Sequence, residues 1–229
     1  CFIRDPIRTG FNCLEHFRLE FCRCLKRKRP TMIAVLGPDG VGKTTFLEQF
    51  IHQLAELCVC DEKDLVLYHF RPNIIPNIKQ LLGGKKYDAS KEDFSNPHRG
   101  AKTNPLSSLA RFMYYWFDYV SGYYLKTKYQ CRHNGKVIFD RYSSDYLVDP
   151  ERSRVFLPYR LRKIFVRLTP QADIAYVLSC DAEMIYKRKQ ELSLQEIEVI
   201  LSRFYKIVKK NRHYHLLDAS LTPNEIVVD

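Results

Sequence analysis

The sequence predicts a three-layer α/β domain, with a parallel sheet covered by helices on both faces. Three observations predict it. Short apolar runs of strand length alternate with helix-length amphipathic segments along most of the chain, which is the pattern of parallel strands joined by crossover helices. A glycine-rich turn follows the first such run and leads straight into a helix. The 229 residues are 45% hydrophobic, enough for one complete core.

Residues 1–30 read as a basic helical lead-in or linker, and 31–229 as the domain proper. In the lead-in, Phe11, Leu14, Phe17, Phe21 and Leu25 recur at helical spacing, and Pro30 ends the pattern. Met32–Leu36 is apolar throughout, as suits a strand buried on both faces. After the glycine turn, a helix runs from Lys43 to about Leu57, and Asp64–Phe70 forms the second strand. Residues 71–105, rich in Pro, Gly, Asn and Lys, read as a long loop with short helical pieces, a length that usually serves a purpose. Residues 106–130 form a helix dense in aromatics, whose rings suit core packing and a pocket wall better than base stacking. Lys136–Asp140 is a third strand that ends on a carboxylate, and Leu157–Leu168 a basic helix. Ile174–Leu178 is the fourth strand, Glu183–Lys210 one or two helices, and Tyr214–Asp218 the fifth strand.

Composition narrows the function classes. Charged residues make up 28% of the chain, and no apolar run approaches the roughly 18–20 residues that cross a bilayer, which argues against a membrane span. The net charge of +11 is compatible with nucleic acid, an anionic surface or a small anionic substrate. Much of the excess lies in Arg23, Lys26, Arg27, Lys28 and Arg29, which read first as a solvated helix end. No RRM-like, zinc-finger or helix-turn-helix pattern supports nucleic-acid binding. The eight cysteines lack the two-residue gap of zinc knuckles and redox pairs, since Cys22 and Cys24, like Cys58 and Cys60, are separated by one residue. Reduced thiols in a cytoplasmic protein are the expectation, with no signal-peptide pattern at the N-terminus. A first residue of Cys1 and a last segment resembling a helix start, Thr222-Pro-Asn-Glu225, suggest a domain taken from a longer protein.

The chemistry is carried by a few segments at predicted strand ends, where ligands of such sheets lie. Gly37-Pro-Asp-Gly-Val-Gly42-Lys43-Thr44 fits the Walker A pattern G-x-x-x-x-G-K-[ST] in full, placing the domain among P-loop NTPases. The glycines let successive N–H groups turn inward at phosphate oxygens, and the following helix adds its positive N-terminal end. Gly37, Asp39, Gly40, Val41, Gly42, Lys43, Thr44 and Thr45 are therefore the expected ATP-binding set, with Lys43 on the terminal phosphates and Thr44 on Mg²⁺. Asp140 can hold Mg²⁺ or accept a proton from an attacking hydroxyl, while Arg141 can hold an anionic acceptor or stabilise the transferred phosphoryl group. Arg71, ending the second strand in His69-Phe70-Arg71-Pro72, offers a planar bidentate grip on an anion. Asp145, Asp149 and Arg152 follow in a charged stretch that reads as a pocket-lining loop, and Lys187-Arg188-Lys189 as the cationic part of a lid. His98 and Arg99 are further candidates in the long loop.

With these residues assembled, the chain resembles the thymidylate kinase family of P-loop nucleoside monophosphate kinases, in particular its divergent members. The likeness spans roughly Met32 to Ser220 and rests on Gly37–Thr45 with Asp39, on Arg71, on Asp140-Arg141-Tyr142, on Asp181 to Arg188, and on Leu217-Asp-Ala-Ser220. The resemblance implies five parallel strands in the order 2-3-1-4-5. It also implies an acceptor sugar facing Asp39, and an acceptor phosphate beside Arg71 and Arg141. Tyr142 and Tyr119 complete the expected acceptor site, Tyr119 standing where the family's long helix carries Arg. Arg188 is expected to close over the reaction. Members of the family are commonly dimers, which makes a homodimer an expectation for this chain. The function so implied is an ATP- and Mg²⁺-dependent kinase acting on a small acceptor, either thymidylate, another nucleoside monophosphate, or another small hydroxyl- or phosphate-bearing compound such as a sugar. A polynucleotide 5′-kinase, suited by the basic lead-in and aromatic helix, and a non-kinase ATP-hydrolysing switch are the alternatives.

Overall fold

The computed structural model describes residues 30–58, 65–75, 105–127, 135–222 and 225–226. The lead-in helix, most of the 71–105 loop with His98 and Arg99, and Arg23 to Arg29 lie outside the described residues.

Five strands form one parallel sheet in the order β2-β3-β1-β4-β5. They are β1 (Thr31–Leu36), β2 (Leu65–His69), β3 (Lys136–Asp140), β4 (Ile174–Ser179) and β5 (Tyr214–Asp218). The order agrees with the expectation. β1 lies at the centre because it is apolar at every position after Thr31, and Met32 to Leu36 are all buried. A run of that kind has no solvent face and must be covered on both sides. β5 lies at an edge, and its partly exposed His215 and Leu216 fit that place.

The helices that flank the sheet are α1 (Lys43–Cys58), α2 (Pro105–Gly122), α3 (Asp145–Val148), α4 (Tyr159–Leu168), α5 (Ala182–Arg188) and α6 (Leu194–Lys210). α1 packs through stacked Phe46 and Phe50, and Phe50 meets Tyr176 of β4 edge-on. α2 contributes Phe112 and Tyr119, whose rings meet Tyr146 and, for Tyr119, Phe70 and Tyr142. Each such fully buried aromatic stabilises the fold by about 1.5–3 kcal/mol in area terms. The predicted helical region 183–210 divides in two because Ser193 starts a new helix. Its hydroxyl accepts from the Glu196 N–H at 3.3 Å while the Glu196 carboxylate accepts from the Ser193 N–H at 2.8 Å, a reciprocal capping box.

One feature departs from the expected single helix over 106–130. α2 ends at Gly122 and continues as a π-helical turn over Tyr123–Thr127. Pro72, just after β2, packs against this junction so closely that a Cβ on Gly122 would lie 2.5 Å from the Pro72 Cβ. Only glycine admits that approach. The Lys126 amine then donates to the Pro72 carbonyl at 2.6 Å, tying the turn to the end of β2. Among the described residues no helix is long and apolar enough to cross a membrane.

Candidate active site

The parallel register brings the carboxyl ends of the strands to one edge. Val35 lies beside Asp140, and His69 lies beside Asp140 on the other side. The chain leaving β1 therefore turns immediately next to the carboxylate that ends β3.

That turn is the glycine loop. Gly37, Gly40 and Gly42 have φ of 147°, 85° and 101°, a backbone region that side chains disfavour. A Cβ on Gly37 would meet the Leu178 carbonyl oxygen at 2.8 Å, and one on Gly40 the Lys189 Cβ at 2.8 Å. Val41 is anchored in the core. Lys43 opens α1, and its amine folds back to donate to the carbonyls of Gly37 at 3.0 Å and Pro38 at 2.7 Å, with Asp39 at 3.9 Å. Burial, reinforced by the nearby Arg141 charge, holds the Lys43 amine well below its ordinary pKa. Thr44 and Thr45 stay exposed at the head of the helix.

Asp140 presents its two oxygens differently. Oδ2 meets the His69 Nδ1 at 3.2 Å, while Oδ1 is buried without a hydrogen-bond partner. Burial alone would raise its pKa, but the His69 hydrogen bond and the charges of Lys43 and Arg141 outweigh it, and the carboxyl stays below its usual value. It is therefore ionised at neutral pH. The same hydrogen bond raises the His69 pKa against partial burial.

Arg141 adopts φ of 70°, an unusual conformation for a side-chain-bearing residue, costing on the order of 1–3 kcal/mol. Three contacts hold it there. Its N–H donates to the Val35 carbonyl at 2.9 Å, and its guanidinium donates to Asp145 at 2.8 Å and to Asp39 at 2.5 Å. Arg152, from the turn after α3, pairs with the second oxygen of Asp39. Burial lowers the Arg152 pKa to about 10, partly opposed by the charge of Glu191. Burial also raises the Asp145 pKa, against the Arg141 guanidinium beside it. The glycine loop, the end of β3 and the α3–α4 connection are thus joined through Asp39.

Arg71 is buried at 5% exposure, donates to Asp118 of α2 at 3.1 Å, and lies over the Tyr115 ring at 4.5 Å from its centre. Asp118 also accepts from the N–H groups of Asn73, Ile74 and Ile75, so one carboxylate shapes the whole turn that follows β2. In α5, Arg188 turns to the loop, donating to the Val41 carbonyl at 3.3 Å and reaching the Ala219 carbonyl at 3.5 Å. Of its neighbours, Lys189 also lies against the loop, at Gly40, while Lys187 turns away. Lys187 is exposed beside Glu183, and Lys189 pairs with Glu191 at 3.1 Å.

Gly37 to Thr45, Asp140, Arg141 and Arg188 thus gather at one place. Tyr119 and Tyr142 stand behind the wall instead of at its surface. Tyr119 is 1% exposed and donates to the Phe70 carbonyl at 2.5 Å, and Tyr142 is 3% exposed and donates to the Pro170 carbonyl at 2.5 Å. Both hydroxyls are spent on the scaffold. Arg152, expected in a pocket-lining loop, pairs with Asp39 of the glycine loop, and His69 and Asp118 join the network beyond the expected set. The signal for His69 was its place as the last polar residue of an apolar strand, and that for Asp118 a lone carboxylate among aromatics of a helix. Cys180 is a free thiol whose pKa burial pushes up.

The residues fit a triphosphate with a divalent cation. The loop turns through three glycines at positive φ, the head of α1 at Thr44 is exposed, and the orphaned Asp140 Oδ1 stands at the neighbouring strand end. Among the described residues no group of three His, Cys, Asp or Glu side chains could hold a metal unaided. Mg²⁺ commonly takes one or two protein ligands and shares the rest with phosphate and water.

No protein-family model matches the chain, and no curated protein matches it. Among solved structures it is similar to thymidylate kinase from Ehrlichia chaffeensis, at 20% identity and a TM-score of 0.54, over 88% of this chain and 96% of that one. With its five parallel strands in the order 2-3-1-4-5, the chain has a thymidylate-kinase-like P-loop NTPase fold.

Proposed function

We propose that this protein is a Mg-ATP-dependent phosphotransferase that moves the γ-phosphoryl group to a small acceptor. The observation that carries the reading is the juxtaposition of two things. A glycine loop with its buried lysine leads into α1, and an ionised carboxylate with one unpartnered oxygen ends the adjacent strand.

Lys43 and the N-terminal end of α1 would hold the donor's terminal phosphates, with the loop N–H groups of Gly40, Gly42 and their neighbours around them. Thr44 and Asp140 would hold Mg²⁺, which when bound neutralises phosphate charge and orients the donor. Asp140 would also accept the proton of an attacking hydroxyl. Arg141 is fixed by Asp39 and Asp145 and would face the acceptor. Asp39, Arg71 and Arg152 would frame the acceptor, and Arg188 would close over the loop from α5. Positioning and charge stabilisation dominate phosphoryl transfer, so a rigid paired network of this kind suits the task.

The test is ADP production from Mg-ATP with nucleoside monophosphates, sugars and 5′-hydroxyl oligonucleotides, with Lys43→Ala as control. Stimulation by one acceptor class, lost in the control, is the expected result. Slow hydrolysis indifferent to every acceptor overturns the reading in favour of an ATP-hydrolysing switch.

A further inference from the structure

Lys43 and Arg141 stand close enough to Asp140 to favour its charge, yet neither holds its side chain. The Lys43 amine donates to the carbonyls of Gly37 and Pro38, and the Arg141 guanidinium donates to Asp145 and Asp39. Among the described residues the Asp140 carboxylate has one hydrogen-bond partner, the His69 Nδ1 at 3.2 Å from Oδ2, and Oδ1 has none. The torsion that turns a carboxylate is broad unless a hydrogen bond fixes it. The rotation of the Asp140 carboxylate, and with it the aim of Oδ1, therefore rests on His69.

The backbone around His69 maintains that contact. His69 and Asp140 are register partners at the ends of β2 and β3, so their side chains leave the same face of the sheet. The pairing is clamped one residue further on, where the Phe70 N–H donates to the Asp140 carbonyl at 2.8 Å. Phe70 and Arg141, with φ of 66° and 70°, turn both strands out of the sheet directly after the pair. The Phe70 ring packs against Tyr119 and Tyr146, and its carbonyl accepts from the Tyr119 hydroxyl. His69 is thus carried on a rigid strand end while its own side chain is 73% exposed and adds little to the core. Because a carboxylate can only accept, Nδ1 is the donor.

We propose that His69 is a positioning residue of this site, holding Asp140 by Oδ2 so that the buried Oδ1 stays free for the divalent cation. This rests on the phosphotransferase reading above and deepens it by naming the group that aims the cation's ligand. Carboxylates that ligate metals are hydrogen-bonded in turn, and removing such a partner typically lowers metal affinity or activity by roughly 10–100-fold. His69 has this effect without touching nucleotide, cation or acceptor.

The test reads nucleotide affinity, not turnover. A non-hydrolysable ATP analogue is titrated calorimetrically into the whole chain, once with Mg²⁺ and once with EDTA, and the ratio of the two affinities is the gain due to the cation. His69→Ala is expected to cut that gain by about tenfold or more, and to leave the metal-free affinity within about twofold of the parent. Its melting temperature is expected to stay within about 2 °C, since the side chain is exposed. His69→Asn keeps an N–H donor near the place of Nδ1 and is expected to restore the gain to within about threefold of the parent. Combined with Asp140→Asn, His69→Ala is expected to cause no further loss. An undiminished gain in His69→Ala overturns the proposal. So does an equal loss in the Ala and Asn variants, a loss that adds in full to that of Asp140→Asn, or a wild type that gains nothing from Mg²⁺. If Mg²⁺ strengthens wild-type binding but no acceptor stimulates ADP release, the kinase reading falls, and the titration still decides the role of His69. A wild type that binds no nucleotide overturns both.

Discussion

The carboxylate of Asp39, in the glycine loop, accepts from the Arg141 guanidinium at 2.5 Å across 102 residues of sequence. Because Arg152 pairs with the other oxygen of Asp39, the loop is bound to the end of β3 and to the α3–α4 connection at once. Asp39→Ala leaves two mostly buried guanidinium groups without this partner and is expected to cost about 1–3 kcal/mol of stability in urea unfolding. A cycle with Arg141→Met is expected to be non-additive by about 0.5–3 kcal/mol. Additive behaviour of the two substitutions would show that the contact does not couple the loop to β3.

Lys43 behaves in the opposite way. Its amine is buried and its pKa is depressed by that burial, so the charge is poorly accommodated in the fold without an anionic ligand. Lys43→Met keeps the stem and is expected to leave stability within about 1 kcal/mol of the parent. ADP formation in the same variant is expected to fall by about 100-fold or more, the scale of losing a preorganised charge contact. Comparing melting temperature with turnover separates the two effects, and a large loss of both would mean that Lys43 is chiefly structural.

Gly122 marks where α2 yields to Pro72. Gly122→Ala places a methyl group 2.5 Å from the Pro72 Cβ and 2.6 Å from its Cγ. The expected cost is about 1–3 kcal/mol, read as a lower urea midpoint with an unchanged slope. An unaltered midpoint would mean that the approach of Pro72 to α2 relaxes freely.

Tyr119 tests whether a ring on the aromatic helix serves ligand or scaffold. Its hydroxyl donates to the Phe70 carbonyl inside the core, and burial raises its pKa well above the usual value. Tyr119→Phe is expected to lose about 0.5–2 kcal/mol of stability while the acceptor KM stays within about twofold. A KM change larger than that, at unchanged stability, would return Tyr119 to the binding surface.

The elements were legible in the sequence because their signals are local. The apolar run Met32–Leu36, the glycine turn and the opening of α1 at Lys43 need only neighbouring residues to declare themselves. The boundaries at Ser193 and Gly122 were less so. The first depends on a capping box read over three residues, and the second on Pro72, which lies 50 positions away from Gly122 in the sequence.

Sequence alone determined the strand and helix alternation, the glycine loop after the first strand, and the presence of Asp140, Arg141 and Arg71 at strand ends. Only the tertiary structure decided what each charge is doing. Whether Arg71 is available to a ligand depends on Asp118, 47 residues away, and the partner of Arg141 in the loop is 102 residues away. Pairings of that kind have no local signature, because they follow from which strands lie side by side. The β3-β1 register that brings Asp140 beside Val35 is set by burial of the whole sheet, and no single segment encodes it.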